Sequence, residues 1–336
     1  MVHVTPRPAK PLNLVVLMPA LNEEATIADT IRRIPRQMPD IGSVQVVVIN
    51  DGSTDRTVAE AQAAGATVLS HGQRLGVGAA FQTGLGEALA MGADLVVSID
   101  ADGQFDPATI PALIEPVVAG RADFATASRF ADPALVPRMP AIKRWGNRMM
   151  SRLISRLCRQ VFHDVSCGMR CYNRRAAMSL NLIGSFTYTQ EVFLNLVYKR
   201  MRIVEVPLVV QGQRRHGKSR VAPNLLGYAL HTSAIILRCY RDYQPMRFFG
   251  RLAMAFMLPG AGLLVFLLVH YLRTGHFSPH IWSGFAGTGL FVLGLILLLI
   301  GLLGDMLNRH RIYLEELLYY VRSQRGDGQG SDHRQS

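Results

Sequence analysis

The chain has 336 residues, 49% of them hydrophobic, and carries a formal net charge of +12 at pH 7. This length excludes a single mini-domain, and the strongly apolar C-terminal part excludes an ordinary soluble enzyme. The charge suits an anionic membrane surface or phosphate-bearing substrates as well as nucleic acid. We favour the first two and expect no nucleic-acid partner, because the basic residues crowd beside the apolar C-terminal spans. The four cysteines lack the spacing of a zinc site and the density of a disulfide scaffold, so we expect reduced thiols.

The N-terminal half predicts an α/β domain. Residues 1–11 form a tail without an apolar core of signal-peptide length, so we expect the domain behind it to stay in the cytoplasm. Over Leu14–Ser128, the apolar runs LVVLM, VQVVVI, TVLS and LVVSI alternate with helical patterns that begin at Glu24, Thr54 and Gly78. Apolar strands separated by helices predict a parallel sheet covered on both faces, with binding sites beyond the C-terminal strand ends.

Three of these strand ends carry polar clusters. In the first, LMPALNEEATI, Pro19 shapes the turn, and Asn22, Glu23 and Glu24 supply polar groups. In the second, VVVINDGSTDRT, Asp51 is placed to reach a nucleobase or ribose. Each cluster alone is explained as well by an ordinary strand–turn–helix junction, but three on one sheet edge predict a nucleotide site.

The third cluster, VVSIDADGQFDP, places Asp100 and Asp102 two residues apart in an extended turn, where both carboxylates can face one point. A hard cation that bridges diphosphate oxygens needs such a pair, so we predict a Mg2+ or Mn2+ site. Gln104 is expected to orient a carboxylate or a ligand, and Asp106 before Pro107 to cap the next helix. A solvated turn is the alternative for this cluster.

Two apolar spans follow near the C-terminus, Leu252 to Tyr271 and Trp282 to Leu303, each about the 20 residues that cross a bilayer as a helix. Neither contains Asp, Glu, Lys or Arg, and the short connection RTGHFSPHI predicts a helical hairpin within 249–305. Arginines flank both outer ends of the hairpin, against Arg273 alone in the connection. We therefore expect a multi-pass protein of the inner membrane with both termini in the cytoplasm.

The segments beside the spans predict helices that lie on the membrane surface. Residues 223–248 and 306–323 mix apolar, aromatic and charged residues at helical spacing, most clearly over Asn224–Tyr243 and Ile312–Val321. Packed helices of a soluble domain are the alternative. Residues 324–336 are expected to form a disordered tail.

The ordered motifs PALNEE, NDGSTDRT, DADGQFDP, ASRF and DVSCGMR resemble glycosyltransferase family 2. They are most similar to its polyprenyl-phosphate branch, the dolichyl-phosphate mannose synthase-like and undecaprenyl-phosphate sugar transferases. The resemblance covers Leu12 to Arg220 and implies a nucleotide-binding GT-A type catalytic domain over 12–222, followed by a two-helix anchor. One departure is Cys167, which is inserted between Ser166 and Gly168 relative to the commonest form. The Gly-rich run HGQRLGVGAAFQTGLGEA fits neither a dinucleotide nor a P-loop motif, and close helix packing explains it.

The resemblance implies a role for each matched position. The nucleotide-sugar ligands would be Pro19, Asn22, Glu23, Glu24, Asp51, Asp100, Gln104, Arg214, Ser219 and Arg220, the last three on the loop QRRHGKSR. The metal would bind at Asp100, Asp102 and Gln104. The acceptor phosphate would meet Arg129, Arg144, Arg148 and Ser166. The catalytic set would be Asp102, Arg129, Arg144 and Glu191, with Glu191 a binder of a sugar hydroxyl or a structural partner rather than an obligatory base.

Together these features predict inverting transfer of a sugar from a UDP- or GDP-sugar to a polyprenyl phosphate. The lipid phosphate is already anionic, so positioning by arginines and neutralisation of the leaving diphosphate dominate the mechanism. A processive polysaccharide synthase is one alternative, but Ala141 stands where its Gln-x-x-Arg-Trp motif needs Gln. A non-catalytic membrane adaptor that binds nucleotide is another, and the acidic pair argues against it. The sequence leaves the sugar, the base, the lipid length and a homo-oligomer open.

Overall fold

The computed structural model describes residues 10–182, 188–211 and 225–332 of the chain. The chain divides into two compact units: Met1–Ile235 together with Leu317–Ser336 forms the first, and Ile236–Glu316 forms the second. Arg214, Ser219 and Arg220, which the sequence predicts as donor ligands, lie outside the described residues.

The first unit contains a seven-stranded sheet in the order β3-β2-β1-β4-β6-β5-β7. The strands are β1 Leu12–Ala20, β2 Ile41–Asn50, β3 Thr67–Ser70, β4 Leu95–Ser98, β5 Phe124–Ser128, β6 Arg170–Asn173 and β7 Ile203–Pro207. The predicted α/β class is confirmed, but the sheet is mixed, because β6 runs antiparallel to both β4 and β5. The chain returns from the 159–169 segment into the gap between these two strands, and the short polar β6 offers no apolar run that predicts it.

Between β1 and β7, the described residues form seven α-helices. They are α1 Ile27–Arg32, α2 Thr57–Ala63, α3 Val77–Ala90, α4 Ile110–Val118, α5 Ala141–Cys158, α6 Arg174–Ser179 and α7 Thr189–Tyr198. The sequence predicts α1 from Glu24 and α2 from Thr54, yet each begins three residues later. The reason is tertiary: the residues before each helix hydrogen-bond to the turn before the other helix, as described below.

The central strands are buried on both faces, as their continuous apolar runs predict. Leu14–Met18 of β1 and Val46–Ile49 of β2 are at most 3% exposed. Helix α3 approaches β2 so closely that a Cβ at Gly84 would lie 2.6 Å from Ile49 Cδ1. Close packing therefore accounts for this glycine of the Gly-rich run.

The second unit contains the long apolar helices. After α8 (Leu225–Tyr243) come α9 (Pro245–Thr274) and α10 (Ile281–Asp332). Both α9 and α10 are long and apolar enough to cross a membrane, and only 11% of the apolar window of each is buried, unlike a core helix of a soluble protein. Glycines bring the two backbones together: a Cβ at Gly260 would lie 2.7 Å from Phe291 N, and one at Gly287 would lie 2.9 Å from Gly260 O.

The C-terminal end of α10 differs from the sequence prediction. A disordered tail is predicted from residue 324, whereas α10 continues to Asp332. Extending an existing helix needs no new nucleation, so a polar segment can continue it. Before that end, Arg322 Nη1 donates to the carbonyls of Met178 (2.7 Å) and Leu180 (3.0 Å), at the end of α6.

Candidate active site

The turns after β1 and β2 are tied to each other by reciprocal hydrogen bonds. Asn22 Oδ1 accepts from Thr54 N at 2.8 Å, and Asn22 N donates to Ser53 Oγ at 2.9 Å. Glu24 Oε2 accepts from Arg56 N at 3.0 Å. The structure thus brings the first two predicted clusters together and uses Asn22 and Glu24 to hold them. We call residues 21–26 and 51–56 the braced turns.

Two further predicted residues lie at this brace. Glu23 is 9% exposed, and its backbone N–H donates to Thr57 Oγ1 at 2.8 Å. Pro19 sits on β1 opposite Ile49 of β2 and is half-buried. Both therefore lie at the sheet edge where the sequence predicts the nucleotide site.

Asp51, at the end of β2, organises the start of α3. Its Oδ1 accepts from Leu75 N at 2.8 Å and lies 3.0 Å from His71 Nδ1, while its Oδ2 accepts from Gly76 N at 2.9 Å. Burial alone would raise the pKa of Asp51, but these hydrogen bonds and the charge interaction with His71 outweigh burial and lower it. A carboxylate held this way fixes the 71–76 loop above the sheet edge. The sequence predicts Asp51 but not its partner His71, whose Nε2 lies 3.0 Å from Thr83 Oγ1.

The acidic turn follows β4 directly. Asp102 is 2% exposed, and its Oδ1 accepts from Gln104 N at 3.0 Å. Asp100 is half-buried beside Gly168, where a Cβ would lie 2.3 Å from Asp100 Oδ2. A side chain at position 168 would force that carboxylate to shift, so the DVSCGMR segment is packed closely against the acidic turn.

The rest of the acidic turn is anchored on two sides. Asp106 Oδ1 accepts from Ala108 N at 3.0 Å and from Arg33 Nη2 at 2.8 Å, which confirms its predicted capping role. Gln104 exchanges hydrogen bonds with Gln211: Gln104 Nε2 donates to Gln211 O at 3.2 Å, and Gln211 N donates to Gln104 O at 2.9 Å. Gln211, the last described residue of the 188–211 segment, is therefore held beside the acidic turn.

A divalent cation fits the acidic turn by its donor set. Asp100 and Asp102 offer carboxylate oxygens, the ligands that hard cations prefer. Within residues 10–182, 188–211 and 225–332, no group of three or more His, Cys, Asp or Glu side chains converges on one point. The two carboxylates alone do not complete a coordination shell.

Arg129, predicted to grip the acceptor phosphate, is held by a buried carboxylate. Its Nε donates to Asp164 Oδ2 at 2.6 Å and its Nη2 to Asp164 Oδ1 at 2.8 Å. The Asp164 side chain is fully buried, while that of Arg129 is 17% exposed. Burial works against the charged guanidinium, but the bonds and charge of Asp164 outweigh it and raise the pKa of Arg129. The role of Arg129 toward the acceptor stays a prediction, and this geometry leaves Nη1 to serve it.

The residues around Asp164 form what we call the charged turn, 164–168. Arg170, which is fully buried, donates through Nε to Cys167 O at 2.8 Å and through Nη2 to Val165 O at 3.2 Å. Its guanidinium carbon lies 5.3–5.9 Å from the ring centres of Phe124, Tyr188 and Phe193. Sequence reasoning assigned no role to Asp164 or Arg170, although both stand in the DVSCGMR motif.

The remaining predicted residues lie around this turn or away from it. Ser166 Oγ accepts from Gln190 Nε2 of α7 at 3.4 Å. Glu191, which follows Gln190 on α7, is 3% exposed. Arg144 and Arg148 are exposed on α5. Burial, with the charge of Asp164, raises the pKa of Cys167 to about 12, so this inserted cysteine is a neutral thiol.

Comparisons with known proteins agree on one family. The model for Glycosyl transferase family 2 matches residues 15–180. An uncharacterized glycosyltransferase of Mycobacterium bovis is 31% identical over 215 residues, covering 64% of this chain and 92% of that protein. The undecaprenyl-phosphate 4-deoxy-4-formamido-L-arabinose transferase of Pseudomonas paraeruginosa is 28% identical over 319 residues, covering 89% of this chain and 86% of that protein.

A solved structure supports the fold. Glucosyl-3-phosphoglycerate synthase from Mycobacterium tuberculosis, crystallised with Mn2+, UDP and phosphoglyceric acid, superposes with a TM-score of 0.54 at 24% identity. The match covers 68% of this chain and 78% of that one. The predicted GT-A type fold and the predicted glycosyltransferase activity are therefore confirmed, and the chain belongs to glycosyltransferase family 2.

Proposed function

We propose that the protein transfers a sugar from a nucleoside diphosphate to the phosphate of a polyprenyl lipid, with inversion at the anomeric carbon. The observation that carries the proposal is the extent of one match. The undecaprenyl-phosphate arabinose transferase aligns over 89% of this chain, a share too large for the catalytic unit alone, so it includes the apolar helices. A strand-edge site and two membrane-length helices in one polypeptide suit an acceptor that is itself embedded in a membrane.

The donor diphosphate is proposed to bind between the braced turns and the acidic turn. Asp100 and Asp102, with Gln104 beside them, would hold Mg2+ or Mn2+. When bound, the cation neutralises the charge that develops on the departing nucleoside diphosphate. The loop that Asp51 fixes at the start of α3 would receive the nucleoside. The mycobacterial synthase contains Mn2+ together with UDP, in line with this arrangement.

The acceptor phosphate is proposed to meet arginines rather than a general base. A lipid phosphate is anionic near neutral pH, so its oxygen can attack without first losing a proton to the enzyme. Arg129 is held at two nitrogens by Asp164, which fixes the direction of its third nitrogen before substrate arrives. Arg144 and Arg148 are exposed on α5 and free to follow the lipid headgroup. Glu191 would serve as a buried support on α7.

The membrane orientation is also a proposal. Arginines flank the outer ends of α9 and α10, and the connection between the helices carries Arg273 alone. The positive-inside rule then puts the catalytic unit and both termini on the cytoplasmic side, where nucleotide sugars are made. Labelling of single cysteines at positions 214 and 276 from outside intact cells tests it: only position 276 should react.

The experiment that tests the reaction supplies purified full-length protein with a panel of UDP- and GDP-sugars and an isoprenyl phosphate. We expect one donor to give a lipid-linked sugar, seen by mass spectrometry, together with an equal amount of nucleoside diphosphate. Release of diphosphate without lipid product would instead indicate hydrolysis or another acceptor. Binding of nucleotide without any release would favour the non-catalytic adaptor.

A further inference from the structure

The exposed face of α5 is unusual for the catalytic unit. Eight large apolar side chains are exposed in the described chain up to residue 211, and five of them lie between Ile142 and Val161. Four sit on α5 itself: Ile142 (59% exposed), Trp145 (60%), Met149 (53%) and Leu153 (39%). Monomeric proteins rarely expose large apolar side chains in such a cluster unless the surface binds something.

The spacing of these residues makes one continuous stripe. At 100° per residue, positions 142, 145, 149 and 153 fall within an arc of about 80° along roughly three turns of helix. The buried residues Ser151, Ile154 and Cys158 lie on the opposite side and fix α5 to the domain. We call the outward face the α5 stripe. It is thus a second apolar face on a helix whose first one is already used by the core.

The charge of α5 identifies the partner. Its sequence, AIKRWGNRMMSRLISRLC, contains five basic residues and no acidic one. Arg144, Arg148, Arg152 and Arg156 are all exposed. At the same 100° per residue, Arg156 falls within the arc of the stripe, and Arg152, Arg148 and Arg144 lie about 20°, 60° and 100° beyond one edge of it. Apolar and aromatic side chains bordered by arginines are the composition of helices that lie in the headgroup layer of anionic bilayers. An acidic protein partner would satisfy the arginines, but the aliphatic and indole groups between them favour lipid.

We propose that α5 is a membrane-surface helix, which places the α5 stripe below the headgroups of an anionic bilayer while its opposite face stays in the catalytic unit. The apolar side chains enter the upper acyl region, and the arginines contact lipid phosphates above it. This contact is additional to those of the apolar C-terminal helices. The membrane contact of α5 does not depend on which reaction the enzyme catalyses. A failed test of this contact would therefore leave the proposed function intact, and a failed test of the function would leave the contact intact.

Tryptophan fluorescence provides a direct test, because Trp145 and Trp282 are the only tryptophans of the sequence. The variant Trp282→Phe leaves Trp145 as the sole reporter in full-length protein. It is reconstituted in nanodiscs of phosphatidylethanolamine and phosphatidylglycerol. We expect lipids brominated near the headgroups to quench Trp145 more than lipids brominated near the chain ends, and aqueous iodide to quench it little. The matched control carries Gln62→Trp, on the exposed side of α2, with both native tryptophans changed to Phe; it should respond to iodide and not to bromine.

Two results would overturn the proposal. If iodide quenches Trp145 as strongly as it quenches the control tryptophan, the α5 stripe faces water. If Trp145 is shielded from both quenchers and two copies of the Met149→Cys variant cross-link, the α5 stripe is an interface between two chains.

A second comparison tests the charge requirement. Replacing phosphatidylglycerol by phosphatidylcholine should weaken bromine quenching of Trp145, and Arg152→Gln with Arg156→Gln should weaken it similarly in the anionic nanodiscs. Neither arginine belongs to the predicted substrate site. Equal quenching in both lipids and in both proteins would reject the anionic surface as the partner.

Discussion

The braced turns and the charged turn hold the same site with different chemistry. The braced turns rely on many single hydrogen bonds between polar side chains and backbone amides, such as Asn22 with Thr54. The charged turn relies on desolvated ions: Arg129 with the fully buried Asp164, and Arg170 beneath them. Losing one neutral hydrogen bond costs about 1 kcal/mol, whereas uncoupling a buried ion pair costs about 3–5 kcal/mol. The braced turns should therefore tolerate single changes, and the charged turn should fail as a unit.

The acidic turn, which joins these two regions, should give the largest effect. Asp102→Asn keeps an oxygen for the Gln104 amide but offers a poor ligand to a hard cation. We expect turnover to fall by roughly 100-fold or more, equivalent to about 3 kcal/mol, with the thermal unfolding temperature unchanged. Release of nucleoside diphosphate measures it, and a chelator should act likewise on the native enzyme. Asp106→Asn is the control, since it weakens a cap and the ion pair with Arg33 but removes neither predicted metal carboxylate. Full activity of Asp102→Asn in metal-depleted buffer would contradict the metal assignment.

The charged turn is tested by changing its ion pair as a whole. Arg129→Ala alone would leave Asp164 buried without its cation, so Arg129→Gln is combined with Asp164→Asn to keep the fold. We expect the acceptor reaction to slow by about thirtyfold, or 2 kcal/mol, while nucleotide affinity measured by calorimetry stays the same. A collapse of nucleotide affinity with unchanged use of isoprenyl phosphate would assign Arg129 to the donor instead.

The contact between the charged turn and the acidic turn is the next target. A Cβ at position 168 would lie 2.3 Å from Asp100 Oδ2, so Gly168→Ala must displace that carboxylate. We expect turnover to fall on the order of tenfold, because a small misplacement of a positioning group is costly in a preorganised site. Gly86→Ala is a matched control, since its Cβ meets nothing within 4 Å. Equal activity of the two variants would show that Asp100 can move without consequence.

The loop that Asp51 fixes beside the braced turns should give the smallest effect, and one that depends on pH. Folding lowers the pKa of Asp51 below the ordinary value of 3.8, so its contribution to stability is present above that pH and is lost as the pH falls through the lowered pKa. We expect Asp51→Asn to lower the free energy of unfolding by about 1 kcal/mol at pH 7. The difference from the native protein should shrink below pH 3.8. Denaturant titrations of both proteins at pH 7 and below pH 3.8 measure this difference. A difference in the free energy of unfolding that grows in acid would contradict the expected direction.

The features of the fold that could be predicted are those that depend on local sequence patterns. Continuous apolar runs predicted β1 to β4, and the polar clusters after β1, β2 and β4 predicted a site at one edge of the sheet. The pairing of Arg129 with Asp164 joins residues 35 positions apart and has no local pattern, so it could not be predicted. The same holds for Arg170, whose partners are backbone carbonyls and aromatic rings. Helix starts were misplaced because the reciprocal brace, a tertiary feature, overrides local capping preferences.

The reciprocal brace also affects how the chain can be altered. Residues 22–24 are hydrogen-bonded to residues 53–56, so both ends of the segment between them, which contains α1 and β2, are fixed beside the candidate active site. Between α1 and β2, Arg36 and Gln37 are exposed to solvent. Extra residues inserted there would lengthen the loop at its far end and leave its ends in register, since the cost of lengthening a surface loop rises only slowly with its length. This junction is therefore a place to introduce a tag or a reporter domain without moving the residues that we propose to bind the nucleotide.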